Sequence, residues 1–130
     1  MVRHYTPSLS FEVFPPNPAV GNEKIIQALR EMQDIAPHYI SVTASNNKFN
    51  IEETTVRLAD FIYNDLKIPT IAHLPAVYLT KEMVSDTLQA LDKVGVHKIL
   101  ALRGDIFPDV APKDDFKYAT DLIEYIKEEA

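Results

Sequence analysis

The chain contains no cysteine among its 130 residues. That excludes disulfides and any thiolate metal site, and it fits a reducing compartment. Glycine is nearly as scarce: Gly21, Gly95 and Gly104 are the full set. None of them opens a helix directly after a strand, so the glycine-rich phosphate loops of nucleotide-binding folds are missing. No apolar run is long enough to span a membrane. The opening residues, Met1 to Pro7, lack the apolar stretch of a signal peptide, and the expected location is cytoplasmic. There is no excess of basic residues either: the formal net charge is -6. Nucleic acid, which favours a basic face, is therefore not an expected partner. A hydrophobic content of 46% with 25% charged residues is that of an ordinary globular domain, and the length suits one domain, residues 1–130.

What is present is organised around Lys98-Ile-Leu-Ala-Leu-Arg-Gly-Asp105. This apolar run is too short for a helix and ends in a cation, a glycine and an anion. It reads as a buried parallel strand whose end delivers charged residues to a site. Three earlier stretches do the same: Ser8 to Phe14 carries Glu12, His38 to Thr43 ends in Thr43, and Pro69 to Leu74 carries His73. Alternation puts Ser10, Glu12 and Phe14 on one face of the first strand, and Ser41 and Thr43 on one face of the second.

Helical stripes separate the strands. Ile25, Leu29 and Met32 mark a helix from about Asn22 to Ile35, stopped by Pro37. Asn50 with Glu53 resembles a capping box ahead of Val56, Ala59, Phe61, Ile62 and Leu66. Thr80 caps a helix through Val94, with Val84, Leu88 and Leu91 inward and Gly95 as its left-handed stop. A last helix is expected from about Asp115, burying Phe116, Ala119, Leu122, Ile123 and Ile126. The result is four βα units of roughly 30 residues each, with parallel strands joined by right-handed crossovers. Two architectures fit: an open doubly wound sheet, or half of a (β/α)₈ TIM barrel, since a whole barrel needs at least about 200 residues.

Four motifs then stand in the order and spacing of one family. Ser10-Phe-Glu-Val-Phe-Pro-Pro16, Ile40-Ser-Val-Thr43, Ala72-His-Leu74 and Leu100-Ala-Leu-Arg-Gly-Asp105 resemble the methylenetetrahydrofolate reductases over nearly the whole chain, and Tyr118-Ala119 with the helix at Asp121 continues the likeness. The resemblance implies the N-terminal half of a (β/α)₈ barrel that binds FAD at the C-terminal ends of its strands. It implies an oxidoreductase of one-carbon metabolism and methionine biosynthesis: NAD(P)H reduces the flavin, which passes hydride to 5,10-methylenetetrahydrofolate to give 5-methyltetrahydrofolate. By the same resemblance Glu12 is the general acid, a role that needs a carboxyl holding its proton near neutral pH. Asp105 is a carboxylate beside flavin and pterin that favours hydride donation. Thr43, His73, Leu102, Arg103, Gly104 and Asp105 hold the flavin. The sequence departs from the family pattern after Thr43, where a tyrosine and glycines give way to Ala44-Ser-Asn-Asn-Lys-Phe. It departs again after Leu74, where Pro75-Ala76 replaces a Thr-Cys pair.

Each of these residues also has a plainer reading. Glu12 could be a solvated or ion-paired strand residue, and His73 a hydrogen-bonded core histidine. Arg103 and Asp105 could be a salt bridge closing a turn. Tyr118 and Tyr125 read as packing, Lys48 and Lys113 as solvated loop charges. His4, His38 and His97 show no metal spacing, so no metal site is expected. Half a barrel leaves two sheet edges unpaired. The chain is therefore expected to self-associate or to be part of a longer protein, inactive alone. The rival to the reductase is a non-catalytic half-barrel assembly module. A third reading is an open sheet binding another phosphate-bearing ligand.

Overall fold

The computed structural model describes residues 7–17, 21–44 and 50–129. The elements alternate as expected: β1 Ser10–Val13, α1 Glu23–Ile35, β2 Tyr39–Val42, α2 Arg57–Asp60, β3 Thr70–Pro75, α3 Lys81–Val94, β4 Lys98–Leu102 and α4 Ala119–Glu129. Helix α2 continues without a break into π-helical turns on both sides, Glu52–Val56 and Phe61–Asp65. A 3₁₀ turn, Ala76–Tyr78, follows β3.

The four strands form one sheet in the order β1-β2-β3-β4, and every pairing is parallel. This order decides between the two architectures. A doubly wound sheet reverses its strand order at a switch point. Here each crossover steps in the same direction, and right-handed crossovers then place all helices on one side. Burial agrees. Val13, Ile40, Val42, Ala72 and Leu74 point into a core shared with Leu29, Leu58, Ile62, Val84, Leu91 and Leu122. On the opposite face Ser10, Glu12, Tyr39 and Leu100 are exposed. That is the arrangement of half a (β/α)₈ barrel, with helices outside and the barrel interior uncovered.

Several local expectations hold. The Thr80 hydroxyl accepts from the Met83 N–H at 3.1 Å, and Gly95 closes α3 at φ +84°. Others shift. Asn22 makes no side-chain cap to α1. Asn50 Oδ1 accepts from the Glu52 N–H at 2.8 Å, without a reciprocal bond from Glu53. Helix α4 begins at Ala119, not near Asp115. The Asp115 carboxylate is engaged at another helix, accepting from the Lys81 N–H at 2.8 Å. The start of α4 is set by Asp121, whose carboxylate reaches back to the Tyr118 N–H at 3.0 Å, half of a capping box. Phe116 is buried ahead of the helix against Tyr125, ring centroids 5.5 Å apart. Ile123 and Tyr118, expected to pack, are exposed. The loop 45–49, with Lys48 and the asparagine turn, and His4 lie outside the described residues.

Candidate functional site at the strand ends

Each strand delivers a polar group toward its C-terminal end. In β1, Glu12 pairs in register with Ser41. Thr43 follows β2 by one residue, and its N–H donates to the Val13 carbonyl at 3.0 Å. In β3, His73 is in register with Leu100 of β4. Parallel pairing and a period of two put Glu12, Ser41, His73 and Leu100 on the same uncovered face.

Three of these, Glu12, His73 and Leu100, border one cleft of about 430 Å³, lined also by Thr43, Leu102, Gly104 and Asp105. A second depression of about 440 Å³, sharing Glu12, His73 and Leu100, continues it along the sheet toward Lys98. Glu12 and Asp105 therefore open onto the same rim. Arg103 does not line the cleft. Its side chain is exposed, its Nε donates to the Gly104 carbonyl at 3.3 Å, and among the described residues no ion pair joins it to Asp105. A more voluminous depression, about 620 Å³, lies on the outer side near Asp86, Asp109 and Lys113. No strand end reaches it, so it lacks the convergence of chemistry seen at the first cleft.

The polar atoms at the cleft are unevenly served. Thr43 is buried, and its carbonyl accepts from the Thr55 hydroxyl at 2.9 Å, yet its own Oγ1 has no hydrogen-bond partner among the described residues. His73 is 6% exposed, and its Nε2 also has no partner among the described residues. The nearest anion is Glu12 Oε1 at 3.8 Å, beyond hydrogen-bond reach. Burial lowers the His73 pKa from the ordinary 6.5, and the Glu12 charge opposes that only in part. The imidazole is thus neutral near pH 7. Unpartnered buried polar atoms are rare in folded proteins and call for an explanation; a polar ligand in the cleft supplies one for both. Glu12 itself is half exposed. The burial expected to hold its proton is not provided by the described residues.

Gly104 shapes the rim. Its φ is +91°, and a Cβ there would sit 3.0 Å from Pro75 Cβ and 3.3 Å from Val77 Cγ2. The close approach lets the loop after β4 lie directly on the turn after β3. Tyr78, in that turn, also lines the cleft and is 1% exposed. Sequence reasoning missed it. The available signal was a tyrosine placed directly after a buried strand, but its partners lie 27 and 29 residues away.

The methylenetetrahydrofolate reductase family profile matches residues 1–130. The chain is 32% identical over 126 residues to methylenetetrahydrofolate reductase 2 of Schizosaccharomyces pombe, covering 92% of this chain and 19% of that protein. It is 32% identical over 121 residues to 5,10-methylenetetrahydrofolate reductase of Buchnera aphidicola, covering 92% of this chain and 40% of that protein. Methylenetetrahydrofolate reductase 2 of Saccharomyces cerevisiae is 29% identical over 126 residues, covering 93% and 21%. The chain thus spans between about a fifth and two fifths of these relatives. With the family profile matching over its whole length, the chain belongs to the methylenetetrahydrofolate reductase family.

Proposed function

We propose that the chain forms the N-terminal half of an FAD-dependent methylenetetrahydrofolate reductase, with the cleft at the strand ends as part of the flavin and folate site. Bound FAD would supply the redox chemistry, taking hydride from NAD(P)H and passing it to 5,10-methylenetetrahydrofolate. The observation that carries this reading is the pair of buried, partnerless polar atoms, Thr43 Oγ1 and His73 Nε2, opening onto the cleft that Glu12 and Asp105 also line. They suit a ligand with its own donors and acceptors, as the flavin ring system has.

The roles follow from position. Thr43 can donate or accept, and neutral His73 can donate or accept through Nε2 according to tautomer. Both would hold and orient the cofactor. Gly104 lets backbone approach it closely. Glu12 is placed to hold and deliver a proton at a carboxyl oxygen as the folate ring opens. Asp105 adds negative charge at the opposite side of the mouth. Plant relatives carry NADH in their names, among them the maize protein at 26% identity; for this chain the reductant is proposed only as NAD(P)H.

A second reading, a non-catalytic half-barrel that pairs with another copy, draws on the apolar residues left open on the inner face, Leu100 at 48% and Phe14 at 61% exposure. One experiment separates the two. The purified chain is mixed with FAD, and size exclusion is run with absorbance and mass measured on the same peak. Co-migrating flavin absorbance in the visible supports the reductase site. A colourless dimer supports the assembly module and counts against the reductase site.

A further inference from the structure

We infer that Tyr78 is a positioning residue for the mouth: its hydroxyl clamps the backbone of the loop after β4 on both sides of Ile106 and so holds Asp105 at the cleft. The inference deepens the flavin reading and rests on it for the purpose of the clamp, though not for the clamp itself.

A buried tyrosine hydroxyl requires partners, and Tyr78 finds them in one short segment. It donates to the Asp105 carbonyl at 2.6 Å and accepts from the Phe107 N–H at 3.0 Å. Its ring stacks on Phe107, centroids 6.1 Å apart and planes 20° apart. Two backbone bonds fasten the same turn to the same loop: the Val77 N–H donates to the Arg103 carbonyl at 3.0 Å, and the Lys113 N–H to the Val77 carbonyl at 2.6 Å. Between Arg103 and Lys113, the hydroxyl of Tyr78 is thus the tie nearest Asp105. The Asp105 carboxylate itself is exposed and makes no hydrogen bond or ion pair among the described residues. No described residue anchors it directly, so its place relative to Glu12 is set by the backbone beneath it. That backbone has no helix or strand to support it, and Gly104 just before it is the most conformationally free residue type.

The perturbation is Tyr78→Phe in the full chain, which keeps the ring and leaves the Asp105 carbonyl and Phe107 N–H without their partner. Amide hydrogen exchange by NMR is the first readout. The Phe107 amide is expected to exchange about ten- to a hundredfold faster in the variant, the factor that follows from losing a buried hydrogen bond without replacement. The β3 amides should keep their protection. The second readout follows the bond itself and not the ring packing: the Asp105 carbonyl carbon, deshielded by the 2.6 Å bond from the Tyr78 hydroxyl, should shift upfield in the variant. Unchanged Phe107 exchange, or an Asp105 carbonyl shift that does not move, would overturn the inference. FAD titration of the wild type separates the two levels. If both NMR readouts respond while the wild type binds no FAD, the clamp stands and the flavin reading falls. If FAD binds, the effects of Tyr78→Phe and Asp105→Asn on its affinity should be non-additive; strictly additive effects would overturn a role for Tyr78 through Asp105.

Discussion

Replacing Gly104 with alanine tests how the mouth is built. Two costs are expected, and a second glycine separates them. The first is conformational: Gly104 has φ +91°, and a residue with a Cβ in that region costs roughly 1–2 kcal/mol. The second is steric: the new Cβ would sit 3.0 Å from Pro75 Cβ and 3.3 Å from Val77 Cγ2. Pro75 is buried at the end of β3, and its ring has no rotamer to escape into. Overpacking of this kind costs about 1–3 kcal/mol. The total, about 2–5 kcal/mol, is a large share of the roughly 5–15 kcal/mol that stabilises a typical domain. At about 3–5 °C per kcal/mol for a chain of this size, thermal unfolding by circular dichroism should drop by roughly 6 to 25 °C. Gly21→Ala is the control. Its φ is +83° with nothing within 4 Å of the added Cβ, so it should carry the conformational cost alone. Gly95→Ala should fall between them: the contact is 3.1 Å to Tyr63 Cε2, but Tyr63 is 40% exposed and can swing away. Unfolding temperatures that rank Gly104→Ala no lower than Gly21→Ala would refute the close approach of the two loops.

Three further outcomes follow. Because burial lowers the His73 pKa below 6.5, the unfolded chain binds more protons than the folded one between the two values. The contribution is therefore complete above about pH 6.5 and lost as the pH falls toward the folded value, with a slope of at most about 1.4 kcal/mol per pH unit. Urea midpoints of the wild type should fall more steeply below pH 6.5 than those of His73→Gln; parallel profiles would contradict the assigned burial. Thr55→Val removes the 2.9 Å bond to the Thr43 carbonyl inside the core and should cost about 1–3 kcal/mol by urea unfolding; a change under a few tenths would show that the bond is dispensable. The chain alone, given NADH, FAD and 5,10-methylenetetrahydrofolate, should show no turnover, because the Glu12 carboxyl is open to water; NADH oxidation proportional to chain concentration would contradict that.

The βα units were legible in the sequence because their signals are local. Alternation in Ser10–Val13, the apolar run at Lys98–Leu102, the cap at Thr80 and the stop at Gly95 each act within a few residues. The shared face of Glu12, Thr43 and His73 also follows from local rules once the strands are parallel. What escaped depends on contacts between distant segments. Tyr78 reaches Asp105 and Phe107 across a βα unit. Asp115 caps α3 and not the helix nearest to it. Arg103 turns away from the cleft while Leu100, Leu102 and Gly104 line it, as a period of two requires; the motif resemblance, not the alternation, had placed it at the flavin. The exposure of Glu12 matches its plainer reading as a solvated strand residue; alternation assigns it a face but says nothing of whether that face is covered.

The proposed reductase site requires the flavin to enter the cleft at the strand ends. An NMR titration of the ¹⁵N-labelled chain with FAD addresses it residue by residue. The amides of Thr43, His73, Gly104 and Asp105 should shift together and saturate with one affinity. No shifts at these positions, or shifts gathered instead at Asp86, Asp109 and Lys113 on the outer side, would contradict that reading.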